Sequence, residues 1–275
     1  MSDMQGRIVV ITGATAGIGK AAARELVQRG ANVTLVSRTA QRGQQAAQDI
    51  GASDFVVADL TELDQVRRAV DELHARLPRL DVLVNNAGAF HPRRRVNSQG
   101  MELNWVGNHL SAFLLTRELL PLLQRSDAPR VANTCSGAIA TGRIHWDDPD
   151  LRRRYDAWTG YAQSKLGMAL ATRELARRNP WLQANYMNPG FVASEIMRPR
   201  NAGERLFAAV ANKFAQTPEK GAETLLHLAT NNLGVSGRYF ANLKLLGTYP
   251  QVADDGAALR LWQLSEEYVD GKRPS

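Results

Sequence analysis

The chain has 275 residues, 44% of them apolar and 22% charged, which suffices for one large α/β domain or two small ones with an ordinary core. Its 34 Lys and Arg against 27 Asp and Glu leave a formal charge of +7, yet the basic runs Arg93-Arg94-Arg95 and Arg152-Arg153-Arg154 are short and carry no interleaved aromatics, which argues against nucleic acid and reads by default as solvated faces, with an anionic cofactor or substrate as the alternative. No run approaches the roughly 18 apolar residues of a membrane span, Met1 to Arg7 lacks an apolar leader core, and Cys135 alone allows neither an intrachain disulfide nor a thiolate metal cluster; the expectation is a cytoplasmic protein with no membrane span.

Arg7 to Thr12 is a short β-branched run of the kind buried on both faces of a parallel sheet. It passes directly into Gly13-Ala14-Thr15-Ala16-Gly17-Ile18-Gly19 and then into Lys20 to Arg29, where Ile18, Ala22 and Leu26 keep helical spacing. Strand, glycine turn and helix in that order let the backbone approach a pyrophosphate, whose charge meets the free N–H groups of the helix start. Asn32 to Ser37 makes the second strand. At its end a dinucleotide fold selects its cofactor, and Ser37-Arg38 offers no carboxylate for a ribose 2′-OH but a guanidinium for a 2′-phosphate. NADP(H) is therefore preferred, with NAD(H) use by an enzyme accepting both as the alternative.

The alternation continues with a helix over Gln41 to Ile50, a strand over Asp54 to Ala58, and Asp59-Leu60 at its end, where Asp59 is placed to meet an adenine amino group. Thr61 is expected to cap a helix striped by Leu63, Val66, Val70 and Leu73. Asp81 to Val84 is the fourth strand and ends in Asn85-Asn86-Ala87-Gly88, small residues that leave room for a cofactor. A helix is expected over Gly100 to Gln124, with Asn108 unfavourably in its middle and His109 beside an apolar stripe as a structural histidine. Arg130 to Thr134 is the fifth strand, with Ser136 just beyond it, and Gly137 to Gly160 is a long connection.

Tyr161 and Lys165 lie four apart on the next helix and so share a face. A fixed cation at about 4 Å in an effective dielectric of roughly 20 supplies about 4 kcal/mol, enough to bring a phenolate within reach near neutrality. Gln183 to Met187 is a sixth strand ending at Asn188-Pro189-Gly190. Residues 191–216 read as a helical substrate flap, Thr217-Pro218-Glu219 opens a helix, Gly237 to Phe240 is a last short strand, and Ala257 to Val269 is a closing helix. The whole describes one doubly wound Rossmann-type α/β domain over residues 1–275, with a central parallel sheet of about seven strands flanked by helices on both faces.

Together these residues resemble the short-chain dehydrogenase/reductase family, and nearly the whole chain takes part. Thr12 to Gly19 fits its Thr-Gly-x-x-x-Gly-x-Gly motif, Asn85 to Gly88 its Asn-Asn-Ala-Gly element, and Ser136, Tyr161 and Lys165 its catalytic serine, tyrosine and lysine. Asn108 to Thr116, Tyr161 to Leu166 and Thr172 to Ala176 resemble the retinol-dehydrogenase-like branch. The resemblance implies hydride transfer between NADP(H) and a carbonyl or alcohol on a hydrophobic small molecule. Tyr161 is then the general acid/base, Ser136 holds the substrate oxygen, Lys165 favours the phenolate and binds the ribose, and Asn108 holds a water behind Lys165.

For the cofactor it implies Gly13, Thr15, Gly17, Ile18 and Gly19 in the loop, Ser37, Arg38, Asp59 and Leu60 toward the adenosine, and Asn86, Ala87 and Gly88 in the middle. Tyr161, Lys165, Pro189, Gly190, Val192 and Ser194 complete that set. Phe90, His91, Trp105, Ile139, Trp158, Phe191, Met197 and Phe207 are the mostly apolar pocket candidates, with Arg95 or Arg200 available to a carboxylate. The family also implies a homodimer or homotetramer. A cofactor-bound sensor on the same fold is the competing class, and the complete set Asn108, Ser136, Tyr161 and Lys165 argues against it.

Overall fold

The β-branched run after Arg7 forms β1 (Ile8–Thr12), buried at every position. In the computed structural model, which describes residues 4–190 and 216–272, it lies near the middle of an eight-stranded sheet. Helix and strand alternate after it: α1 (Gly17–Gln28), β2 (Asn32–Ser37), α2 (Ala40–Ile50), β3 (Asp54–Val57), α3 (Leu63–Arg76) and β4 (Val82–Asn85). A second half repeats the pattern with a helical rod made of α4 (Leu103–Trp105), a π turn (Val106–Leu110) and α5 (Ser111–Leu123), then β5 (Arg130–Thr134), α6 (Ala157–Arg178) and β6 (Gln183–Asn188). After the undescribed stretch come α7 (Pro218–Thr230), β7 (Tyr239–Ala241), β8 (Lys244–Leu245), α8 (Pro250–Ala253) and α9 (Asp255–Val269).

The strand order is β3-β2-β1-β4-β5-β6-β7-β8. All neighbours are parallel except β7 and β8. Because successive side chains of a strand point to opposite faces, the sheet feeds two cores. Val9, Ile11, Val33 and Leu35 meet α1, α2 and α7 on one face. Val10, Leu83, Val131 and Tyr186 meet α3, α5, α6 and α9 on the other. The order reverses between β1 and β4, which opens a crevice at their carboxyl ends, where open α/β sheets bind ligands.

Three local expectations need correction. The sheet gains β8, a two-residue antiparallel edge that is too short to carry a hydrophobic pattern. The helix expected over 100–124 begins at Leu103 and contains the π turn. Thr61 does not cap α3: Glu62 holds that position without a side-chain bond, and the Thr61 hydroxyl donates instead to Asp59 Oδ1 at 2.8 Å. Residues 191–215 of the expected flap lie outside the described residues.

Candidate active site

Four of the expected side chains converge at the carboxyl ends of β4 and β5. Lys165 is buried on α6 and donates through Nζ to the carbonyl of Thr134, the last residue of β5, at 2.9 Å. The same ammonium lies 5.9 Å from the centre of the Tyr161 ring one turn earlier. Ser136, just past β5, accepts the Ala138 N–H at 3.2 Å and so caps the 3₁₀ turn Gly137–Thr141. A Cβ on Gly88 would stand 3.1 Å from Lys165 Nζ and 3.4 Å from Asn108 Oδ1, which measures how closely that loop approaches both.

Asn108 sits inside the π turn, an insertion that re-aims a side chain and recurs at functional sites. Its Oδ1 accepts the Ala89 N–H at 2.8 Å, and its Nδ2 donates to the Ala89 carbonyl at 2.9 Å and to Ser164 Oγ at 3.0 Å. Ser164 in turn donates to the Tyr161 carbonyl at 2.7 Å. Both amide hydrogens thus help hold the chain after β4 against α6, while Oδ1 keeps a second acceptor site.

The glycine loop has the features of an anion cradle. Helix α1 starts behind Ala16, which offers no side-chain cap, and its first turn holds no carboxylate. Its leading N–H groups therefore face outward for an anion. Gly17 takes φ 55°, and a Cβ there would meet nothing within 4 Å, whereas on Gly13 it would lie 2.7 Å from the Ala87 Cα. On Gly19 it would lie 2.4 Å from both Asn86 Nδ2 and the Gly13 carbonyl. Asn86 braces this contact, donating to the Thr12 and Gly13 carbonyls at 3.1 and 3.3 Å and accepting from Thr134 Oγ1 at 3.3 Å.

At the far end Arg38 is exposed, with Nε 3.7 Å from Asp59 Oδ2. The other Asp59 oxygen accepts the N–H and hydroxyl of Thr61. Ser37 is buried and its hydroxyl is turned to the Thr39 carbonyl at 3.0 Å. Thr15, Leu60, Ala87 and Pro189 are half-buried and Gly190 is exposed, while the Ile18 side chain points into the core. Open backbone, uncapped helix and an exposed cation at the end of β2 together fit a dinucleotide.

On the substrate side the Tyr161 ring is flanked by Phe90, edge-on at 5.7 Å, and by Trp158 at 6.2 Å. Trp158 is half-exposed and its indole N–H donates to Thr141 Oγ1 at 3.0 Å. His91 is half-buried and Arg95 exposed. Trp105 is not a pocket residue: it is fully buried, its ring 4.5 Å from that of His109. Ile139 is likewise buried in the core beside α6. Phe191, Val192, Ser194, Met197, Arg200 and Phe207 lie outside the described residues.

Two reactive residue types nearby are structural. Burial pushes the Cys135 thiol up to about 12. Desolvation pushes the His109 imidazole down to about 3, and its Nε2 contacts Ser265 Oγ at 2.9 Å. Among the described residues no group of three His, Cys, Asp or Glu could hold a metal, and no helix is long and apolar enough to cross a membrane. Sequence reasoning missed the Thr134 carbonyl, because any residue has one. It also missed Asn104, Glu102 and Tyr155, although two asparagines four apart in a helix were a signal.

A doubly wound sheet with a glycine cradle at its switch point, and a tyrosine and lysine one turn apart beside it, defines a dinucleotide-dependent oxidoreductase. Residues 7–205 match the model for short chain dehydrogenase, and the chain belongs to that family, in its retinol-dehydrogenase-like branch. It is an NAD(P)-dependent dehydrogenase acting on CH–OH groups. Retinol dehydrogenase 14 of Mus musculus is 36% identical, with 97% of this chain and 86% of that protein covered. A Streptomyces sp. (strain C5) protein provisionally named as a daunorubicin C-13 ketoreductase is also 36% identical, over 97% of this chain and 93% of its own.

Among solved structures, an uncharacterized Mycobacterium paratuberculosis protein superposes with a TM-score of 0.81 at 32% identity, covering 100% of this chain and 97% of the other. A Shigella flexneri 2a short chain dehydrogenase complexed with NADP gives 0.69 at 25% identity, covering 89% and 100%.

Proposed function

We propose that this protein is an NADP(H)-dependent oxidoreductase that interconverts a carbonyl and an alcohol on a hydrophobic small molecule, with Tyr161 as general acid/base. The observation that carries this reading is the buried Lys165 ammonium, pinned by the Thr134 carbonyl and facing the Tyr161 ring beside the glycine cradle. When bound, the nicotinamide supplies or accepts the hydride. Everything else falls to the chain.

Tyr161 gives its phenolic proton to the substrate oxygen in reduction and takes it back in oxidation. Ser136 already accepts a bond from Ala138, so its own hydrogen is left to donate to that oxygen. Lys165 uses one donor on Thr134, and its remaining N–H groups serve the ribose. Gly13, Gly17 and Gly19 line the pyrophosphate cradle, and Arg38 meets the 2′-phosphate. The half-buried Phe90 and half-exposed Trp158 make the substrate side apolar. The names of the similar proteins mention retinol and daunorubicin.

Tyr161→Phe tests this directly. NADPH affinity, read by cofactor fluorescence, should hold within a few-fold while turnover of a responsive carbonyl falls by roughly 10²–10⁴. Near-normal turnover would remove Tyr161 from the chemistry.

A further inference from the structure

The backbone on both sides of Phe90, the residue facing Tyr161, is held by a polar latch. Asn108 grips both main-chain groups of Ala89. One helical turn earlier, Asn104 Oδ1 accepts the His91 N–H at 3.0 Å, and the Tyr155 hydroxyl donates to the His91 carbonyl. Asn108 thus holds Ala89, and Asn104 together with Tyr155 holds His91, each at both N–H and C=O.

Asn104 is itself fixed. Its Nδ2 donates to Glu102 Oε1 at 2.9 Å and to the Tyr155 hydroxyl at 2.8 Å, and it is fully buried. Glu102, also buried, accepts the Asn104 and Trp105 N–H groups at 2.9 and 2.8 Å, and its own N–H donates to Asp150 Oδ1 at 2.9 Å. Gly160, directly before Tyr161, admits the latch against α6: a Cβ there would lie 3.1 Å from Tyr155 Cε2 and 3.3 Å from Asn104 Nδ2. So this network, buried at Asn104 and Glu102, fixes the backbone on both sides of Phe90 relative to the helix turn that carries the phenol.

Such rigidity has a use. Phe90 stands edge-on to Tyr161 with the rings at 66°, and Trp158 stands on another side with its N–H tied to Thr141. Aromatic surfaces carried on fixed backbone favour a flat ring over a flexible chain, since stacking is kept and little freedom is lost. We propose that Asn104, Tyr155 and Glu102 are positioning residues that hold Phe90 as a fixed wall, and that the wall selects flat, ring-bearing carbonyl compounds. This rests on the oxidoreductase reading above.

The test uses full-length protein with NADPH and two hydrophobic probes, the flat 9,10-phenanthrenequinone and the flexible decanal, with NADPH affinity measured on every variant. KM for the quinone should lie well below that for decanal. Phe90→Ala should raise the quinone KM about tenfold with kcat changed less than about threefold, and Phe90→Tyr should restore it. Tyr155→Phe, which removes only the hydroxyl, should erode the same preference by roughly threefold.

An unchanged preference in Phe90→Ala, or equal losses on both probes, overturns the wall. Failure of both probes in a protein that binds NADPH and reduces other carbonyls also overturns it, and leaves the oxidoreductase reading standing. Failure of the wild type to bind NADPH sinks that reading itself.

Discussion

Arg38 stands exposed at the end of β2, held only loosely by Asp59 at 3.7 Å. The carboxylate is fixed by Thr61, so the guanidinium is presented rather than consumed, and a 2′-phosphate would add a charge-assisted pair that a plain ribose cannot. A hydrogen bond to a charged group is worth about 1.5–3 kcal/mol. Arg38→Ala should therefore weaken NADPH at least tenfold while NADH changes less than about threefold, measured by fluorescence titration of each cofactor. Equal weakening would assign Arg38 a structural part. Arg38 was legible in the sequence because its place at a strand end, and the missing acid beside it, are linear features. Trp105 was not: an aromatic at helical spacing reads the same whether it faces a ligand or, as here, the His109 and Tyr268 rings.

At the scale of elements, β1, α1, β2 and their glycine turn follow from β-branched runs and 3.6-residue spacing, and the cap Thr217 from residue type. The π turn had no such pattern, since one added residue in a helical rod leaves the apolar stripe nearly intact; Asn108 in mid-helix was its trace. Within the glycine turn, space and conformation separate two substitutions. Gly19→Ala drives a methyl to 2.4 Å from the Gly13 carbonyl, so backbone must move, and a loss of about 2–3 kcal/mol in urea unfolding is expected. Gly17→Ala meets nothing and costs about 1–2 kcal/mol for its positive φ, but its methyl stands in the open approach to α1. NADPH affinity should fall more in Gly17→Ala than its stability loss explains. Affinity within twofold of wild type would move the phosphates away from this turn.

For the molecule as a whole, the strand alternation and the crevice between β1 and β4 were readable from the order of elements, because parallel strands need crossover helices that cover both faces. The polar groups trapped between those layers were readable only in part: His109 beside an apolar stripe reads as structural, but nothing in a linear pattern names its partner Ser265. His109 is sealed between the π turn and α9, with Nε2 on Ser265, and desolvation lowers its pKa from 6.5 to about 3. A folded pKa below the unfolded one means the unfolded chain takes up the proton first. The stability it permits is complete above pH 6.5 and is lost as pH falls toward 3, at up to about 1.4 kcal/mol per pH unit.

His109→Gln keeps a donor for Ser265 and removes the titration. Between pH 6.5 and 4.5 the wild type should lose about 2 kcal/mol more than this variant in urea unfolding, whatever their offset at neutral pH. Carboxylates such as Asp81 are common to both proteins and cancel in the difference. Parallel curves over that window would mean that His109 protonates in the folded state, and that the layer between the rod and α9 admits water.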